Sequence, residues 1–125
     1  MTIKQFSQLH KHIDDYFRKT HPDLSERERI LARLSKISEE LGELNNAVLS
    51  EFSWQRQEKL DVYEHHELET EWADVVNTLF SFALASNIDV EQALKKRIVK
   101  IYDRLGLDLD ELSEEDLPST DTGGK

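Results

Sequence analysis

Cysteine is absent from this chain of 125 residues, which removes disulfides, thiolate metal sites and cysteine nucleophiles together. Proline occurs twice and glycine four times, too few for a fold built on many tight turns, so long helices are expected in place of sheets. No apolar run approaches the roughly 18 residues of a membrane span, and Met1-Thr2-Ile3-Lys4-Gln5 lacks the apolar stretch of a signal peptide. A soluble, cytoplasmic protein is the expectation. Basic residues are in deficit, 16 Lys and Arg against 26 Asp and Glu, for a net charge of -10. Polynucleotide binding is driven by Lys and Arg that release counterions, so a polynucleotide is not the expected partner. A single nucleotide escorted by a divalent cation is compatible with this charge. The length accommodates one domain with an adequate but not generous core, and pairing with a second copy is an economical way to bury more surface.

The apolar residues that are present fall at helical spacing. Phe6, Leu9, Ile13 and Phe17 predict a first helix from about Ile3 to Lys19, ended by His21-Pro22. Ser25 followed by Glu28 has the form of a capping box, and Ile30, Leu34, Ile37, Leu41, Leu44 and Val48 carry a second helix to about Ser50. From Glu51 to His66 no clean period exists, which predicts a loop with room for one helical turn. Leu68, Trp72, Val75, Leu79 and Phe82 define a third long helix from about Glu67 to Ser86. Phe80, Ala83 and Leu84 extend its apolar surface around nearly the whole circumference, so a second protein surface is expected to cover it. Trp72 is expected in the core. Asp89 caps a last helix from about Val90 to Leu105, with Gly106 at its C′ position. Residues 1–106 read as one helical domain and 107–125 as an acidic, disordered tail.

Two acidic clusters lie on these helices: Glu39-Glu40-Leu41-Gly42-Glu43 and Glu71-Trp72-Ala73-Asp74. Positions three or four apart are neighbours on a helix surface, so two packed helices would offer four or five carboxylate oxygens to one hard cation. At 100° per residue Glu40, Glu43, Glu71 and Asp74 stand at the rim of the apolar stripes, where like charges are costly unless a divalent ion neutralises them. Oxygen-only donors suit magnesium; zinc would want His or Cys, which neither cluster contains. Glu39 points further outward and suits orienting or deprotonating a water. A solvated acidic face is the plain alternative for any one such pair.

Other polar residues are weaker candidates. Lys96, Arg97, Lys100 and Arg104 line one face of the last helix, suited either to phosphates or to solvent. Trp54 is a large aromatic in a polar loop, suited to stacking on a base or to packing on a partner subunit. His65-His66 with Asp61 and Glu64 lacks ligand spacing and reads as exposed loop, and His10, His12 and His21 read as surface residues.

Glu39-Glu40-x-x-Glu43 and Glu71-x-x-Asp74, separated by 27 residues, resemble the paired motifs of the MazG-like all-α nucleoside triphosphate pyrophosphohydrolases. Lys36 to Leu44 looks like the family's first motif helix, Glu71 to Leu79 like its second, and Asn87 to Leu94 like the turn opening its last helix, so the likeness covers about Glu28 to Arg104. It implies an all-α bundle of four to five helices completed by dimerisation, as a homodimer or tetramer. It further implies Mg2+ or Mn2+ held by Glu40, Glu43, Glu71 and Asp74, with Glu39 as auxiliary ligand or base. The implied reaction splits a (deoxy)nucleoside triphosphate into monophosphate and pyrophosphate, clearing unwanted nucleotides, with Arg97 at a position where the family contacts the nucleotide; Lys36, Lys100, Arg104 and Trp54 join it as candidate substrate contacts from their own positions. The chain departs from the family where a Lys and, four residues on, an Asn are common: Arg97 and Ile101 stand there, and isoleucine cannot supply the amide. Two other readings stay open, a phosphoribosyl-ATP pyrophosphohydrolase-like enzyme and a non-catalytic helical dimer or adaptor.

Overall fold

The computed structural model describes residues 1–65 and 67–109, and among them every regular element is a helix. The order is α1 (Ile3–Thr20), α2 (Glu26–Glu51), the four-residue α3 (Gln57–Leu60), α4 (Glu67–Ala85) and α5 (Val90–Leu105). The acidic tail expected to be disordered lies outside the described residues from 110 onward, as does His66.

Local chemistry accounts for the ends. Thr2 caps α1 in a complete capping box: its hydroxyl accepts the Gln5 N–H at 3.1 Å while the Gln5 side chain accepts the Thr2 N–H at 2.8 Å. At Ser25 only half of the expected box forms. The Glu28 N–H donates to Ser25 Oγ, whose own hydroxyl donates to the Glu28 carboxylate at 2.9 Å. Asp89 caps α5 through the Gln92 N–H, as its position predicts.

Three helices end alike. After α2, the Trp54 N–H reaches Leu49 O and the Ser53 N–H reaches Ser50 O; after α4, Ile88 reaches Ala83 and Asn87 reaches Leu84; after α5, Leu107 reaches Tyr102 and Gly106 reaches Asp103. These are Schellman closures, which require a left-handed residue at C′. Ser53 (φ 57°), Asn87 (φ 55°) and Gly106 (φ 66°) occupy it.

The main packing is between α2 and α4, which run antiparallel: Lys36 shares a groove wall with Thr78, whereas Ser50 shares a cavity with Glu67. Small side chains allow the approach, Ala47, Ala83 and Ala85 being the buried apolar residues. Helix α1 packs on α4 and is itself the main support of α5.

The buried face of α1 differs from the predicted stripe. Leu9, Ile13 and Phe17 are exposed, while His10 and Asp14 are buried. His10, expected at the surface, is packed between rings, with centroids 4.8 Å from Phe6 and 5.7 Å from Phe80, and its Nδ1 lies 3.1 Å from Ser81 Oγ. Desolvation holds its pKa below the ordinary imidazole value, assisted by the nearby Arg33 charge and opposed by a hydrogen bond with Asn77. Asp14 accepts from Arg18 Nε at 2.6 Å and from Arg33 Nη2 at 3.3 Å, and Arg18 continues to Glu26. Polar partners contributed by α2 and α4 let these two residues face inward, and those partners are far away in sequence.

Trp72 also departs from expectation. It is 61% exposed in the single chain, in an uncovered apolar strip with Leu44, Val48 and Leu68; Leu41, on the same helix as Leu44, is 46% exposed.

Candidate metal centre

The α2–α4 packing brings the two acidic clusters together. One carboxylate oxygen from each of Glu40, Glu71 and Asp74 lies within 4.8 Å of the others, and all three residues are half-buried. Magnesium takes oxygen ligands, so these three residues could hold it. The donor set is oxygen only, which suits that ion. Glu43 is not in this triplet. It lies one turn further along α2, exposed, on the wall of a neighbouring cavity with Glu67 and Glu71.

The electrostatics are those of crowded like charges. Desolvation is the largest influence raising the Glu71 pKa above the ordinary carboxylate value, and the charges of Asp74, Glu43, Glu40 and Glu67 add to it. Lys36 relieves one side: its Nζ lies 2.9 Å from Glu40 and 3.1 Å from Glu39, and this double contact raises its own pKa. Glu40 is thereby held inward, its side chain 15% exposed, while Glu39 remains 63% exposed on the outer rim, as the helical wheel predicts.

Two hollows lie near the triplet, one lined by Lys36, which contacts Glu40, and the other by Glu71. Toward α1, a groove of about 520 Å³ is walled by Phe17, Arg29, Arg33, Lys36, Asn77 and Thr78 among others, with the Arg33 guanidinium 4.7 Å from the Phe17 ring centroid. Toward α3 lies a cavity of about 360 Å³. Sequence reasoning named none of Phe17, Arg33, Asn46 or Lys59 as a site residue: Phe17 reaches these hollows from α1 and Lys59 from α3, while Arg33 and Asn46 come from other turns of α2.

Several expected substrate contacts lie elsewhere. Lys36 is at the cluster, but engaged by Glu39 and Glu40. Arg97 lines a groove with Ile3, Leu94, Ile98 and Ile101 against the start of α1, and Lys100 and Arg104 are exposed on α5. None of the three lines either hollow beside the triplet. Trp54 is 73% exposed, 5.3 Å from the Phe52 ring; its backbone forms the Schellman closure of α2. His65 contacts Glu51, which also accepts the Tyr63 hydroxyl at 2.6 Å. That hydrogen bond pushes the Tyr63 pKa up to about 12.

No protein-family model, curated protein or solved structure matches this chain.

Proposed function

We propose that the chain is a divalent-metal-dependent nucleoside triphosphate pyrophosphohydrolase, working as a dimer. The observation that carries the reading is the convergence of Glu40, Glu71 and Asp74 oxygens within 4.8 Å, from two helices, at a half-buried site where like charges oppose one another. Glu40, Glu71 and Asp74 would hold Mg2+ or Mn2+, with Glu43 closing from the adjacent turn. Bound there, the ion would neutralise phosphate charge and make a water more acidic. The remaining work falls to side chains. Lys36 fixes the orientation of Glu40 and Glu39, and Glu39, on the outer rim, accepts a proton from the attacking water. The exposed apolar residues Leu41, Val48 and Trp72 favour a dimer built on α2 and α4.

The test is pyrophosphate release from a panel of NTPs, dNTPs and phosphoribosyl-ATP with Mg2+, beside Glu71→Gln and Asp74→Asn. Magnesium-dependent turnover that both variants lose supports the reading, and a wild type inert on the whole panel refutes it. A non-catalytic helical dimer is the second reading. It is favoured by Ile101, which sits with Ile3 and Ile98 in an apolar groove on the α5 side; an inert wild type that still dimerises would select it.

A further inference from the structure

The cavity of about 360 Å³ beside the triplet lies between α2, α3 and the start of α4. Glu43 and Glu71 form the wall shared with the acidic cluster; Asn46, Ser50, Lys59 and Tyr63 contribute elsewhere to its lining. Its volume falls at the lower end of the roughly 300–1,000 Å³ typical of small-ligand sites. Lys59 supplies its cation, since the other lining residues are acidic, neutral or apolar.

How Lys59 is held is informative. Its Nζ lies 3.4 Å from Asn46 Oδ1, which is fixed in turn by Gln55 Nε2 at 3.2 Å. Three carboxylates line the same cavity, yet none of the ion pairs among the described residues involves Lys59. An ammonium has three N–H donors and no acceptor, so donors remain after the amide contact. Tyr63 is already committed to Glu51. Positive and negative groups therefore line one cavity without cancelling each other directly. A bare anion would be repelled by the carboxylates. An anion whose oxygens reach both a cation held by Glu40, Glu71 and Asp74, of which Glu71 also lines this cavity, and the ammonium would be held at both ends.

We infer that this cavity receives the diphosphate end of the substrate, with Lys59 Nζ donating to its non-bridging oxygens and Asn46 keeping the ammonium in place. The inference rests on the proposed pyrophosphohydrolase reading and assigns its leaving-group contact to Lys59 rather than to the α5 cations. In the reaction the water oxygen bonds to the α-phosphorus and the bond from that phosphorus to the bridging oxygen breaks. The electron pair departs with the diphosphate, and the water proton passes to Glu39. Lys59 makes and breaks no covalent bond; it stabilises the charge that accumulates on the departing group.

The test is calorimetric titration of the full-length chain, first with Mg2+ alone and then with inorganic pyrophosphate in the presence of Mg2+, for wild type, Lys59→Ala, Lys59→Met and Lys59→Arg. Loss of one charge-assisted contact should weaken pyrophosphate binding about 10- to 100-fold in the Ala and Met variants. Mg2+ affinity should be unchanged or tighter, and Lys59→Arg should recover most of the loss. The Met variant keeps the apolar stem packed, and thermal melts of every variant confirm folding. Pyrophosphate binding unaffected in folded Lys59→Met, or a wild type that binds Mg2+ but no pyrophosphate, overturns the inference and leaves the metal centre standing. A wild type that binds no Mg2+ overturns both.

Discussion

Replacing Glu71 with glutamine should make the metal-free protein more stable, the reverse of what removing a structural ion pair would do. Oxygens of Glu40 and Asp74 lie within 4.8 Å of Glu71. Two unit charges at about 4 Å repel by roughly 1 kcal/mol in bulk water and about 4 kcal/mol at the effective dielectric of a protein surface. Lys36 offsets part of the Glu40 charge. The net gain for Glu71→Gln at neutral pH is therefore about 1–3 kcal/mol. The pH dependence has a definite sign. Because the folded chain holds the Glu71 proton more firmly than the unfolded chain, stability falls as pH rises from 4.5 through the raised value, and the burden is complete above it. Urea unfolding in EDTA between pH 4 and 8 should show wild type losing stability over that window relative to the variant. Added Mg2+ should reverse the order: an ion at 100 times its Kd contributes about 2.7 kcal/mol to whichever protein binds it, and the variant should bind it far more weakly. Glu71→Gln less stable than wild type in EDTA would refute the reasoning, because Glu71 would then be serving the fold.

Asp14→Ala leaves Arg33 without its carboxylate partner and should cost roughly 2–4 kcal/mol by urea unfolding, somewhat under a fully dry pair; a loss below 1 kcal/mol would mean water replaces the contact. His10 holds its pKa low in the fold, so the unfolded chain takes the proton first. Stability should fall as pH drops below 6.5, a loss that His10→Leu reduces in the same unfolding series. Light scattering at micromolar concentration should give twice the 14.6 kDa chain mass, and Leu41→Glu with Trp72→Glu should give a folded monomer, since both residues are already exposed in the single chain; a monomeric wild type refutes the interface. Ser53→Gly relieves a left-handed serine at the end of α2 and should raise stability by about 0.5–1 kcal/mol in thermal melts.

Helix positions were legible because their causes are local. The 3.6-residue period of apolar side chains, the Ser25 and Asp89 caps and the Gly106 closure all act within one or two turns, and α2, α4 and α5 stand within a residue of where the pattern places them. Left-handed closures at Ser53 and Asn87 were less legible, since neither residue is the glycine that ordinarily marks one. The composition of the acidic cluster was readable for a related reason: spacing on two helices put Glu40, Glu71 and Asp74 on faces that could meet.

The order of the helices, their approximate limits and the carboxylates one turn apart follow from the sequence by itself, because each depends on neighbours a few residues away. Tertiary packing alone decided which of those carboxylates converge, placing Glu40 with Glu71 and Asp74 and setting Glu43 on the adjoining wall. It also turned α1 so that His10 and Asp14 face inward, and it brought Lys59 to the cavity beside the cluster. The physical reason is the same in each case. A buried imidazole, a buried carboxylate or an ammonium held on an amide is tolerated only where a partner stands opposite, and here Ser81, Arg33 and Asn46 stand 71, 19 and 13 residues away along the chain.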